Sequence, residues 1–115
     1  MVKKGHELPV QENENMRGVD GTIVLRHFLN KDEFYGKGRL FSQITVKPGC
    51  SIGYHEHHGE SEIFAVISGN GLFNDNGEEM PVAAGDVLVT SSGKGHAIAC
   101  VGSCPLELVA LIIYE

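Results

Sequence analysis

"HEHHGESEIFAVISG", residues 55–69, decides how the rest of the chain is read. Its first eight residues hold three histidines and three glutamates, in a chain with six histidines altogether. The segment "EIFAVISG" (62–69) has few polar side chains and reads as a strand covered on both faces. Side chains two apart on a strand share a face, so His55 and His57 project the same way, with backbones about 7 Å apart at a rise of roughly 3.3 Å per residue. Two imidazoles at that spacing can converge on one cation. Glu62 lies an odd number of residues beyond His57, which would put it on the opposite face of a straight strand. A turn is therefore expected at "HGES" (58–61), with Gly59 free to take positive φ. The chain then folds back, and Glu62 arrives from the partner strand on the face of the two histidines. Phe64, Val66 and Ser68 follow Glu62 by alternation and give the cluster a mostly apolar wall. His58 is out of phase and is excluded as a ligand.

Working outward, short strands separated by turns recur along the chain. "TIVLRHFL" (22–29) and "RLFSQITV" (39–46) alternate with period two, with the loop or helical turn "NKDEFYGKG" (30–38) between them. "NDNGEE" (74–79) carries the Asn-Gly signal of a tight hairpin. "GDVLVT" (85–90), "HAIACV" (96–101) and "LELVALIIYE" (106–115) complete the strands. No helical period is sustained, and the pattern predicts an all-β sandwich or closed barrel. Residues 1–18 are polar and aperiodic and read as an N-terminal arm, leaving 19–115 as one β-barrel domain.

The formal charge of -6 argues against nucleic-acid and anionic-membrane partners, which require clustered Lys and Arg. No run approaches the roughly 18 apolar residues of a membrane span. With no leader-like segment behind Lys3 and Lys4, the expected location is cytoplasmic. Cys50, Cys100 and Cys104 lack paired C-x-x-C spacing and read as reduced thiols. "EIFAVISG" and "LELVALIIYE" are apolar on both faces, more than a lone barrel needs, so a homodimer is expected.

A further ligand must come from far along the chain, and His96, opening a strand after the loop "SSGKG", is the strongest candidate. His6 sits in the arm, and His27, on an apolar strand face, reads as a satisfied core or interface histidine.

These residues also carry a family resemblance. Gly49, His55, His57, Glu62 and Gly69 stand at the spacings of the first cupin motif. "GDVLVTSSGKGHAIAC" (85–100) resembles the second motif through Gly85, Gly93 and His96, with Ser91 where the family usually has Pro and Cys100 where it usually has Asn. The resemblance implies a double-stranded β-helix, jelly-roll-like, with one divalent transition metal held by His55, His57, Glu62 and His96. Three imidazoles and a carboxylate suit Mn, Fe, Co, Ni or Zn. Within the family, iron and manganese are frequent with this ligand set.

Such a site leaves positions for a small-molecule ligand. Arg39, Phe41, Gln43 and Thr45 share one face of their strand. If that face lines the barrel, Gln43 could hydrogen-bond a substrate and Arg39 could hold a carboxylate. The opposite phase turns Leu40, Ser42, Ile44 and Val46 inward instead. Phe64, beside Glu62, and Cys100, in phase with His96, complete the candidate substrate contacts. A decarboxylase also needs a proton donor, for which His27, Tyr54 and Glu60 are the candidates. The resemblance implies a metalloenzyme acting on a small carboxylate or polyoxygenated substrate, by decarboxylase- or dioxygenase-like chemistry. The alternatives are a sugar-isomerase-type cupin, or a non-catalytic module that binds a metal and ligand for sensing or storage.

Overall fold

The computed structural model describes residues 1–14 and 21–115. The expected boundary between arm and barrel, at 18/19, lies outside the described residues. Two antiparallel sheets face each other around one core. The larger has the order β1 (Val10–Glu14), β2 (Thr22–His27), β3 (Gly38–Val46), β10 (Leu106–Tyr114), β5 (Glu60–Ser68) and β8 (Val87–Thr90). The smaller has the order β4 (Ser51–Glu56), β9 (Gly95–Val101), β6 (Asn70–Asp75) and β7 (Glu78–Ala83). This is a double-stranded β-helix, and no helix among the described residues is long and apolar enough to cross a membrane.

Alternation in the strands explains the core. Inward residues of the large sheet, such as Ile23, Ile44, Val66, Leu108 and Ala110, are buried against Ile52, Phe73 and Ile98 of the small one. The phase of β3 is settled by burial: Ser42, Ile44 and Val46 turn inward, while Gln43 and Thr45 face out. Thr45 and Gln43 both donate to the Glu107 carboxylate, and Arg26 donates to Gln43 Oε1, so this outer face carries a polar network.

Three local features differ from the sequence reading. The polar arm contains a strand, because β1 needs only main-chain pairing to edge the large sheet beside β2. The hairpin signal resolves into β6 and β7 around Asn76 and Gly77, both at positive φ as a tight two-residue turn requires. The turn around Gly59 does not make a hairpin of β4 and β5. It carries the chain from the small sheet to the large one, where β5 pairs with β10 and β8.

Candidate metal centre

The crossing at Gly59 sets up the site. His55 lies in β4 opposite His96 in β9, and His57 follows the end of β4, where its backbone N–H donates to the Lys94 carbonyl. Glu62 lies in β5, opposite Thr90 on one side and Ile112 on the other. The carboxylate thus meets the three histidines across the space between the sheets, and not from a neighbouring strand. Each of the four residues offers one ligand atom, and these atoms lie within 4.8 Å of one another.

The ring nitrogens sort into two sets. On the outer side, His55 Nδ1 donates to the Gly53 carbonyl at 2.8 Å, and His57 Nδ1 lies 3.0 Å from Glu60 Oε1. His96 Nδ1 lies 2.7 Å from the Thr90 hydroxyl. On the inner side the Nε2 atoms converge: His57 to His96 at 3.1 Å and His96 to His55 at 3.2 Å. Glu62 Oε1 lies 3.0 Å from His57 Nε2 and 2.9 Å from His96 Nε2.

A carbonyl and a carboxylate can only accept, so Nδ1 of His55 and of His57 must each carry a proton. In the neutral rings Nε2 is then an electron-pair donor, aimed at other donors and at a carboxylate. Hydrogen bonds could pair these atoms only by placing protons on Nε2, whereas one shared cation takes all the lone pairs at 2.9–3.2 Å together. The spacings match adjacent ligands at right angles on an ion with bonds of roughly 2.1 Å, which would stand roughly 3.0 Å apart. The donor set therefore fits a divalent transition metal.

The electrostatics agree. Burial is the largest influence on Glu62 and pushes its carboxyl up, but in the absence of a metal the hydrogen bonds from His57 and His96 outweigh it and hold it below its ordinary value. Glu62, opposed by burial and assisted by Glu60, raises the His57 imidazole. Two carboxylates thus favour positive charge at this point. Hydrogen bonds from Arg39, opposed by partial burial and assisted by His57, hold Glu60 down at about 2.

Above the cluster is a cavity of about 80 Å³ with apolar walls that include Leu25, Leu40, Ile52 and Phe64, and with Arg39 at its edge. Phe64 also stacks on the His96 ring, with centroids 5.1 Å apart and planes 11° from parallel. The structure therefore brings His55, His57, Glu62, His96, Phe64 and Arg39 together. Gln43 is not among them, since β3 turns it to the outer face. Cys100 is also elsewhere: it packs in the apolar core, and its thiol donates to the Cys104 carbonyl. Four residues along β9 amount to roughly 13 Å, enough to remove Cys100 from the metal cluster despite its correct phase. His58 pairs with Glu56 at the surface. His27 is satisfied by Ser42 and Gln11, and Tyr54 is half exposed on the outside.

Sequence reasoning missed Thr90 and the contact of Glu60 with His57. Thr90 shares the inward phase of Leu88, but nothing in a strand pattern shows that its hydroxyl meets a histidine from another sheet.

Comparison with known proteins finds relatives along nearly the whole chain. The oxalate-binding protein of Thermotoga maritima is 42% identical over 113 residues, covering 98% of this chain and 93% of that protein. A crystal structure from Thermotoga maritima, described as a predicted oxalate decarboxylase, superposes with a TM-score of 0.95 at 41% identity, over the whole of both chains. KdgF from Halomonas sp. shares the fold, with a TM-score of 0.78 at 16% identity over 97% of this chain and 91% of that one. Residues 42–114, from the middle of β3 to the end of β10, match the family described as Cupin domain. With the two-sheet barrel and the histidine and glutamate cluster between its sheets, this match makes the chain a member of the cupin family.

Proposed function

We propose that this protein binds a compact dicarboxylate, with oxalate the first to test, on a divalent metal held by His55, His57, Glu62 and His96. The observation that carries the reading is the convergence of three Nε2 atoms and one carboxylate oxygen, with His55, His57 and Glu62 lining a small apolar cavity edged by Arg39. The likeness to an oxalate-binding protein over 98% of the chain supports the choice of ligand.

The protein's own groups divide the work. His55, His57, Glu62 and His96 would hold the ion, which when bound would supply Lewis-acid polarisation of an oxygen ligand. Manganese or iron is the proposed ion. Apolar walls exclude water and strengthen the attraction between an anion and the charges around it. Arg39 spends Nε and one terminal nitrogen on Glu60, and its remaining N–H groups can meet a carboxylate at the cavity edge.

Binding is favoured over turnover by the residues around the cavity. Decarboxylation calls for a proton donor over the metal. Of the three candidates, His27 and Tyr54 do not line the cavity, and Glu60 is engaged by Arg39 and His57. Metal-dependent decarboxylation is the second reading, supported by the donor set and its fit to a redox-capable ion.

Protein loaded with Mn or Fe should bind oxalate in calorimetry, and chelator-treated protein should not. Oxalate binding of equal strength with and without metal would overturn the proposal. Formate produced from oxalate at many turnovers per site would establish the second reading instead. We also infer a homodimer through the outer face of β10, β5 and β8, where Ile67, Val87 and Val89 are each more than half exposed.

A further inference from the structure

We propose that Glu60 is a positioning residue that fixes the tautomer and ring angle of His57, and that Arg39 holds Glu60 in place. The inference rests on the metal-binding reading above. Glu60 stands where β5 begins, in the stretch expected from sequence to be a turn. Its side chain is only 12% exposed, in line with a fixed role. Oε1 accepts from His57 Nδ1 at 3.0 Å and from Arg39 at 2.8 Å, while Oε2 accepts from Arg39 Nε at 2.7 Å.

The geometry explains why a carboxylate is needed. Oε1 has two lone pairs and faces two N–H donors, so it satisfies both at once. The bidentate guanidinium pair leaves the carboxylate one orientation, and the imidazole follows it. His57 is itself 2% exposed, and among the described residues Glu60 is the side-chain acceptor at its Nδ1. With Nδ1–H held by Glu60, Nε2 is committed as the electron-pair donor facing Glu62 and His96. The other two histidines have their own holders, the Gly53 carbonyl and Thr90. Of the three, only the His57 holder is charged, and only that holder is gripped by a residue that also lines the ligand cavity. An anion drawn to Arg39 therefore touches the same chain of contacts that orients a metal ligand.

The test is a cobalt(II) titration of metal-stripped protein, read by visible absorbance and by competition with a chelator. Glu60→Leu should weaken cobalt binding by about 10–100-fold and alter the absorption bands. Glu60→Gln, which keeps the shape and one acceptor, should fall between Leu and the native protein. In a His57→Ala background, Glu60→Leu should cost no more than about twofold, because its route to the metal is gone. If Glu60→Leu fails to fold, the Gln variant in both backgrounds supplies the same comparison. Equal loss in the two backgrounds, or native affinity and spectrum in both Glu60 variants, would overturn the assignment while leaving the metal site intact. A native chain that binds no cobalt would overturn the metal reading and this inference together.

Discussion

Thr90 shows how much of the centre depends on a side chain that touches no ligand-binding space. It is 1% exposed, and its hydroxyl lies 2.7 Å from His96 Nδ1. His96 Nε2 faces Glu62 and two other imidazoles, so the outer nitrogen carries the proton and the threonine oxygen accepts it. Valine matches the shape of threonine but cannot accept. Thr90→Val is expected to strand a buried N–H, lowering the unfolding free energy of metal-stripped protein by about 1–3 kcal/mol in urea titrations. It should also weaken metal binding by about 10–100-fold in a chelator competition. Native values in both measurements would remove Thr90 from the centre. Phe64 lies against the opposite aspect of this problem, since its ring restrains the His96 plane by stacking rather than by a hydrogen bond.

At the scale of elements, the two glycines that flank β5 separate conformational need from steric need. Gly59 and Gly69 both have positive φ, at 73° and 85°. A Cβ on Gly59 would meet nothing within 4 Å, whereas one on Gly69 would collide with the Pro105 carbonyl oxygen. Gly59→Ala should therefore cost about 1 kcal/mol of stability, the left-handed backbone penalty alone. Gly69→Ala should cost at least about 2–3 kcal/mol, because β5 and the start of β10 must also separate. Urea unfolding of the two variants checks the order, and equal losses would contradict it. The same elements show what the sequence could reveal. Strand alternation picked His55 and His57 out of a cluster of six histidines and glutamates, and the odd step to Glu62 demanded a turn. That turn's destination was not legible, because a turn sequence encodes local φ and not which sheet receives the next strand. The phase of β3 stayed open for a related reason: Gln43 and Thr45 find their partner Glu107 on a strand 64 and 62 residues away in sequence. Cys100 was legible in phase but not in depth, since alternation says nothing about position along the barrel.

Across the whole molecule, the cavity beside the metal cluster and an exposed apolar surface lie on opposite faces of the large sheet. The cavity is lined by inward residues such as Glu62 and Phe64. Outward, the registers align Phe41, Leu111, Ile63 and Val89 in one row across β3, β10, β5 and β8. Val109, Ala65 and Val87 form the next row, and Ile67 continues along β5. Val87 is 62% exposed, and Val89 and Ile67 are each 56% exposed, so the rows make a continuous apolar patch with few charges. Such a patch is normally covered, and a second copy of the same face is the simplest complement under two-fold symmetry. The native protein is expected to sediment at twice the chain mass of 12.4 kDa at micromolar concentration. Val87→Glu would place two symmetry-related carboxylates within one apolar contact, where desolvation and like charge both oppose association. That variant should sediment as a monomer and still bind metal with native stoichiometry, because Val87 faces away from the cavity. A native monomer would refute the shared face, and a Val87→Glu dimer as tight as the native one would place the contact elsewhere on the barrel.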